Sequence, residues 1–351
     1  MLYNNECWIS DIDKTIGILP ELDRVAGKTI LITGAAGLVC SAVVDILFRY
    51  NDTHGEKIKI LAAGRWLEEM TARFKEMVER DDFTFVEYDA SKPDNNIVEH
   101  ADYIIHGASN ASPDMIVKEP VETILSNIVG LKYLLDYAKN QEAKRVLYIS
   151  SSEVYGEKDG KEPYQENQYG FIDILKSRNS YSVGKRAAET LCSSYLDEYG
   201  VETVIVRPGH IYGPTASPYD KRVSSAWAYK VAKGEDIVMK SDGAQIRSYC
   251  YCLDCASAIL KVLFSGEKGM AYNISNPNSI ITIKEMAQIL AKASGVKLRM
   301  EIPTEEEKKA FNPMSNSSLL SNNLQGIGWN GLFDAETGLS HTIRILRETM
   351  N

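Results

Sequence analysis

The chain has 351 residues, 44% hydrophobic and 25% charged, an ordinary globular composition with apolar material for one large or two intertwined α/β domains. Its formal net charge is −9 with no basic stripe, which argues against nucleic acid as the main partner. No run approaches the ~18 apolar residues of a membrane span, and the first 28 residues lack the basic-then-apolar pattern of a signal peptide, so a cytoplasmic protein with no membrane partner is expected.

Residues 1–27 read as an N-terminal extension with room for a short helix. "KTILITGAAG" reads as a buried strand running into a glycine turn, and "SAVVDILFRY" as the helix after it. Strand "KIKILAAG", amphipathic helix "LEEMTARFKEMVER", strands "FTFVEYDA" and "ADYIIHGAS", long helix "PVETILSNIVGLKYLLDYAKN" and strand "RVLYIS" follow in turn. A helix over 180–199, closed by Gly200, precedes strand "VETVIVRP". This alternation implies an α/β fold, a Rossmann-type doubly wound parallel sheet over 28–207. Beyond Pro208 "HIYGPTASPYDKR" reads as loop, and 312–326 is the most loop-like later stretch. Residues 208–351 form a smaller, mainly substrate-binding C-terminal region, from which 236–264 is expected to return to the nucleotide domain.

Six cysteines, Cys7, Cys40, Cys192, Cys250, Cys252 and Cys255, are scattered through the chain, as expected of reduced thiols in a cytoplasm. Cys252 and Cys255 have metal-ligand spacing, but no second pair accompanies them; "CYCLDC" reads as a strand end entering a helix, and no metal is expected.

"TGAAGLVC" sits where a dinucleotide fingerprint belongs, between a strand and a helix. Gly34 permits the tight turn, and Gly37 lets the backbone approach a pyrophosphate at the helix N-terminus. Cys40 replaces the third glycine, whose task is close helix–strand packing, and is small enough for it. At the end of the second strand an acid would select NAD through its ribose hydroxyls; here "LAAGRW" offers Arg65, which leans towards the extra phosphate of NADP. Tyr181 and Lys185, four apart, share one helix face, where an ammonium favours phenolate and so a general base.

Together "ITGAAG", Asp89 in "EYDAS", "HGAS", Asn127 in "SNIVG", "SSSEVYG", "YSVGK", "RPGHIYGP" and "IRSYCYCLDCASAI" resemble the extended short-chain dehydrogenase/reductases, the NAD-dependent epimerase/dehydratase family of nucleotide-sugar enzymes, over roughly 28–345. The resemblance implies that Tyr181 is the base, Lys185 its partner and Ser151 the group bonded to the substrate hydroxyl. It implies NAD contacts from Gly34, Ala36, Gly37, Leu38, Arg65, Asp89, Ala90, Ala108, Asn127, Tyr181, Lys185 and Pro208. Substrate contacts would come from Ser109, Ser112, Ser151, Ser152, His210, Arg222, Val223 and Arg247. His210 departs from the family's common Asn. A homodimer through helices around 121–139 and 181–199 is also implied.

"GASNASPD", "SSSEVYG", "SRNSYSVGKRAAETLC", "YDKRV" and "GAQIRSY" are most similar to UDP-glucuronate decarboxylases (UDP-xylose synthases). That likeness implies a nucleotide-diphosphate sugar oxidised at C4 with tightly bound, recycled NAD. Carbon dioxide would be lost from a 4-keto acid, with Glu153 in the catalytic set. Ser152–Glu153 stands where family 4,6-dehydratases carry Asp-Glu. A 4-epimerase, a 4,6-dehydratase and an NADP-dependent 4-keto-sugar reductase remain alternatives, as does a non-catalytic nucleotide-binding protein on this fold.

Overall fold

A strand that is apolar on both faces is expected in the middle of a parallel sheet, and the central strands have this pattern. The structure, a computed structural model, describes residues 2–158, 162–304 and 315–350. Seven strands form one wholly parallel sheet: β1 (Thr29–Thr33), β2 (Lys59–Gly64), β3 (Phe83–Glu87), β4 (Tyr103–His106), β5 (Arg145–Ile149), β6 (Thr203–Pro208) and β10 (Ala271–Ile274). Their order is β3-β2-β1-β4-β5-β6-β10, which reverses direction between β1 and β4. In doubly wound sheets the crevice at that reversal is where ligands bind.

The helices between these strands are α2 (Cys40–Thr53), α3 (Leu67–Phe74), α4 (Pro113–Lys118), α5 (Pro120–Asn140) and α6 (Ser180–Tyr199). Gly200 ends α6 in the left-handed conformation, φ 72°, and its N–H closes back on the carbonyls of Tyr195 and Leu196. The amphipathic helix expected from Leu67 breaks sooner than its pattern suggests. Lys75 takes φ 49°, and a 3₁₀ turn over Lys75–Glu79 replaces the last turns. Phe74, buried between Phe48 and Phe83, fixes the chain at the break.

Beyond Pro208 the expected loop contains a strand, β7 (His210–Tyr212). It joins β9 (Ile246–Tyr251) and β11 (Ile280–Thr282) in a second sheet, while β8 (Ile237–Met239) pairs with β12 (Leu298–Met300). Residues 236–264 therefore divide: β8 and β9 serve the small sheets, and α8 (Cys252–Ser265) packs on α2 and behind β5 and β6. The chain rejoins the large sheet through β10. Helices α7 (Val223–Ala232), α9 (Ile283–Ser294), α10 (Asn322–Gly326) and α11 (Ala335–Thr349) complete the smaller region. Helix α10 lies inside the stretch read as loop; residues 312–314 of that stretch are outside the described residues.

The N-terminal extension is built into the core. Asn5 caps α1 (Glu6–Ile16) by accepting the Trp8 amide at 3.1 Å. Trp8, fully buried, donates from its indole to Asp45 Oδ2 at 2.8 Å, and Arg73 donates to the same oxygen at 2.5 Å. Asp11 accepts from His341 of α11 at 2.7 Å, so the two ends of the chain meet there. "CYCLDC" is a strand end entering a helix, and all six cysteines are buried free thiols. Among the described residues no helix is long and apolar enough to cross a membrane.

Candidate active site

The turn after β1 brings its backbone close against the chain leaving β4. Gly34 has φ 68°, and a Cβ there would lie 3.0 Å from the Ala108 nitrogen and 3.1 Å from Gly107 C. Only glycine adopts that conformation without strain. Its N–H binds the Ala63 carbonyl at 2.9 Å, and Gly37 N–H binds the Gly34 carbonyl at 2.9 Å. Gly37 is exposed, with Ala36 and Leu38 half-buried beside it. Thr215, from the loop after β7, donates to the Leu38 carbonyl at 2.7 Å and ties the small region to the turn. Cys40 does the packing work of the missing third glycine: a Cβ on Gly107 would stand 2.4 Å from its sulfur.

Arg65 is exposed just after β2. Asp89 lies beyond β3, and its Oδ1 accepts from the Ser91 hydroxyl (2.7 Å) and amide (3.0 Å). Burial would raise the Asp89 pKa, but the Ser91 bonds and the charges of Lys92 and Arg65 bring it below the usual carboxylate value. Ala90 is buried against α5, where a Cβ on Gly130 would come within 2.6 Å of the Ala90 carbonyl. Asn127 of α5 is fully buried: its amide donates to the Thr123 carbonyl (2.7 Å), and its oxygen accepts from Ser109 and Tyr148 at 3.1 Å each. These bonds brace the β4 and β5 ends of the crevice. Ala108 N–H reaches Thr33 Oγ1 at 3.2 Å, and Ser112, exposed, stands at the start of α4.

Ser151, Ser152 and Glu153 follow β5. Ser151 Oγ accepts the Glu153 amide at 3.2 Å and so begins the 3₁₀ turn Ser152–Tyr155. Tyr181 and Lys185 lie on the inner face of α6, 7% and 3% exposed. Burial pushes the Tyr181 pKa up to about 12; the Glu153 charge adds to the rise, while the Ser151 hydrogen bond and the charges of Arg222 and Arg178 oppose it. Burial brings Lys185 down to about 7. The expectation that the ammonium lowers the tyrosine is therefore corrected: Lys185 Nζ donates to the Ile149 carbonyl at 2.8 Å, and its charge is itself suppressed by desolvation. It stands nearer the Tyr148 ring, 4.7 Å, than the Tyr181 ring, 5.7 Å.

Across the crevice Pro208 ends β6 and His210 opens β7. Burial, with the charges of Arg247 and Arg222, lowers His210 to about 3, so its imidazole is neutral. Its buried Nδ1 has no hydrogen-bond partner among the described residues. Arg247 is buried and donates to the Ile246 carbonyl at 2.8 Å. Arg222 is paired with Asp220 at 2.6 Å, and Val223, half exposed, begins α7.

Three groups next to this cluster, all within "SRNSYSVGKRAAETLC", have no role assigned from the sequence. Arg178 and Ser182 both donate to Glu153. Behind Ser151, the buried Glu189 accepts from Ser150 Oγ (2.5 Å) and from Arg207 Nε (2.9 Å) and Nη2 (2.6 Å). Glu189 lies four residues beyond Lys185, so its helix face was legible; its partner on β6 was not.

A doubly wound parallel sheet with a glycine turn at its reversal defines a Rossmann-type dinucleotide-binding fold. Residues 30–275 match the NAD dependent epimerase/dehydratase family, and the chain belongs to it. It is thus a member of a family of NAD(P)-dependent nucleotide-sugar epimerases, dehydratases and decarboxylases. Among its relatives, UDP-glucuronic acid decarboxylase 6 of Arabidopsis thaliana is 30% identical over 88% of this chain and 86% of that protein. UDP-glucuronic acid decarboxylase 1 of Xenopus tropicalis is 28% identical over 95% of this chain and 75% of that protein. Among solved structures, UDP-glucuronic acid 4-epimerase of Bacillus cereus, in complex with UDP-glucuronic acid and NAD, superposes with a TM-score of 0.76 at 20% identity, covering 91% of this chain and 99% of that one. UDP-glucose 4-epimerase of Thermotoga maritima, with UDP-glucose, gives 0.76 at 22% identity over 92% and 100%.

Proposed function

We propose that the protein decarboxylates UDP-glucuronate to UDP-xylose through a 4-keto intermediate, with NAD held and recycled. The observation that carries this reading is Ser152–Glu153 beside Tyr181. Glu153 accepts at both oxygens from Arg178 and Ser182, and Ser152 stands where a dehydratase needs an acid for its leaving hydroxyl. The decarboxylases among its relatives support the same choice.

The glycine turn fits a dinucleotide: without a Cβ, Gly34 packs directly on the backbone after β4, and Gly37 is open to solvent where a pyrophosphate would lie. In this reading Gly34, Ala36, Gly37 and Leu38 hold the pyrophosphate, Asp89 and Ala90 flank the adenosine, and Ala108, Asn127 and Pro208 line the path to Lys185. NAD⁺ bound there supplies a hydride acceptor at sugar C4 and returns the hydride at the end. Ser151 orients the C4 hydroxyl and Tyr181 takes its proton. Once C4 is a ketone, the C6 carboxylate is β to a carbonyl, and carbon dioxide leaves as its bond electrons enter the enolate. A proton drawn from water adds at C5, and with the hydride back at C4 the Tyr181 proton returns to the C4 oxygen, which completes the cycle. Arg247, Arg222 and the neutral His210, with Ser109, Ser112 and Val223, form the substrate side; guanidinium geometry suits a diphosphate or carboxylate.

Mass spectrometry of UDP-glucuronate incubated with the protein and NAD⁺ tests this: loss of one carbon dioxide without net NADH is expected. An unaltered substrate defeats the decarboxylase reading. Arg65, exposed at the end of β2, favours a second reading, an NADP-dependent 4-keto-sugar reductase; a preference for NADPH in binding would select it. The same proposal includes a cytoplasmic homodimer through α5 and α6. Val121 and Leu125, 59% and 43% exposed, form an apolar stripe on α5 that a second copy would cover.

A further inference from the structure

Arg178 lies in the 3₁₀ turn Ser177–Asn179 that leads into α6, three residues before Tyr181. Its Nη1 donates to Glu153 Oε2 at 3.1 Å and its Nη2 to Oε1 at 3.2 Å. Ser182, just after Tyr181, donates its hydroxyl to Oε2 at 3.1 Å. Groups on either side of Tyr181 thus grip one carboxylate, which comes from the turn that Ser151 begins. A carboxylate next to a phenol opposes loss of the phenolic proton. A fork of two parallel N–H donors fixes that carboxylate and offsets its charge. Among the charges facing Tyr181, Glu153 raises its pKa, while Arg222 from the start of α7 and then Arg178 lower it; of these two cations Arg178 is the one bonded to Glu153.

We propose that Arg178 is a positioning residue: it holds Glu153 in one orientation and offsets its charge beside Tyr181, so that the carboxylate needed for the sugar chemistry does not disable the base. The proposal rests on the reading of Tyr181 as the general base. Both partners are part-exposed, with side chains 43% and 41% accessible, so solvent weakens the pair. The effect on Tyr181 is then about 0.5–1 pH unit rather than the 1–3 of a close, desolvated charge.

The test is a titration of Tyr181 in protein carrying ¹³C at tyrosine Cζ, with NAD⁺ bound, its signal assigned by loss in Y181F. In R178Q the midpoint rises by about 0.5–1 unit, which is about three- to tenfold less phenolate at a fixed pH on the ascending limb. R178K restores most of it, and R178Q/E153Q returns it to the wild-type value or below, because no carboxylate is left to oppose. At one fixed pH on the ascending limb, single-turnover hydride transfer from UDP-glucuronate falls in R178Q and recovers in R178K. An R178Q midpoint equal to wild type, or a shift that persists in the double variant, overturns the proposal. The titration needs no sugar: failure of the wild type to act on UDP-glucuronate defeats the substrate reading and leaves this test intact. Full activity in Y181F would defeat both.

Discussion

Replacing Tyr181 by Phe removes one hydroxyl from a side chain that is 7% exposed and leaves its ring in place on α6. With a pKa pushed up to about 12, the phenol is neutral at pH 7 whether the chain is folded or not, so no ionic linkage is lost. The structural cost is at most the interaction of that hydroxyl with Ser151, about 0.5–1.5 kcal/mol when counted as one neutral hydrogen bond. For 351 residues about 1 kcal/mol moves the melting temperature by ~1.4 °C, so Y181F should melt within ~2 °C of wild type. Catalysis behaves differently. A positioned general base contributes about 10²–10⁴-fold, or ~2.7–5.4 kcal/mol of barrier. Y181F should therefore lose at least about a hundredfold in single-turnover hydride transfer, followed by nicotinamide absorbance, while calorimetry finds NAD affinity within about threefold. If the proposed base acts as phenolate with its pKa still raised when NAD⁺ is bound, the wild-type rate should climb with pH, up to about tenfold per unit. A variant that keeps wild-type rates would refute the assignment of the base; a wild-type profile flat from pH 6 to 9 would instead show that its pKa is not raised in the NAD-bound protein.

At the glycine turn, G34A forces a side chain into φ 68° against backbone at 3.0–3.1 Å; NAD affinity should fall at least about tenfold by calorimetry, and unchanged binding would remove the turn from the cofactor site. In the N-terminal helix, W8F should cost about 1–3 kcal/mol by leaving Asp45 Oδ2 to Arg73 alone, and W8A about 3–5 kcal/mol through its cavity; urea melts that show no difference from wild type would mean α1 is not part of the folded core. Behind Ser151, E189A strands the fully buried Arg207 and should cost about 3–5 kcal/mol, with E189Q costing less; a melt unchanged in E189A would show that the pair does not brace the β5 end.

How much the sequence discloses depends on how local the cause is. The apolar run of β1, the glycine turn and the i, i+4 placement of Tyr181 and Lys185 are each dictated within a few residues, and the structure has them where the pattern puts them. The even alternation of strand and helix also carries the parallel sheet, since right-handed crossovers leave little choice of topology. The break at Lys75 is different: propensity favours continuing the helix, and only the packing of Phe74 between Phe48 and Phe83, from two other elements, ends it.

Charge at the site was the least legible property, because pKa is set by what surrounds a group rather than by its neighbours in sequence. Tyr181 and Lys185 are four residues apart, and pairing alone predicts that each stabilises the other's charged form. Both are buried on the same face, so desolvation acts on both and drives them towards their neutral forms, the tyrosine up and the lysine down. The same burial makes Tyr181 sensitive to any charge left nearby, and the carboxylate of Glu153 is such a charge. Arg178, which pairs with it, is 25 residues away in the chain; it lies inside "SRNSYSVGKRAAETLC", one turn before Tyr181 on the path into α6, but nothing in the sequence joins it to Glu153. If Tyr181 is the proposed base, a carboxylate beside it calls for cations within reach, and the start of α7 and the turn that begins α6 each bring one, Arg222 and Arg178.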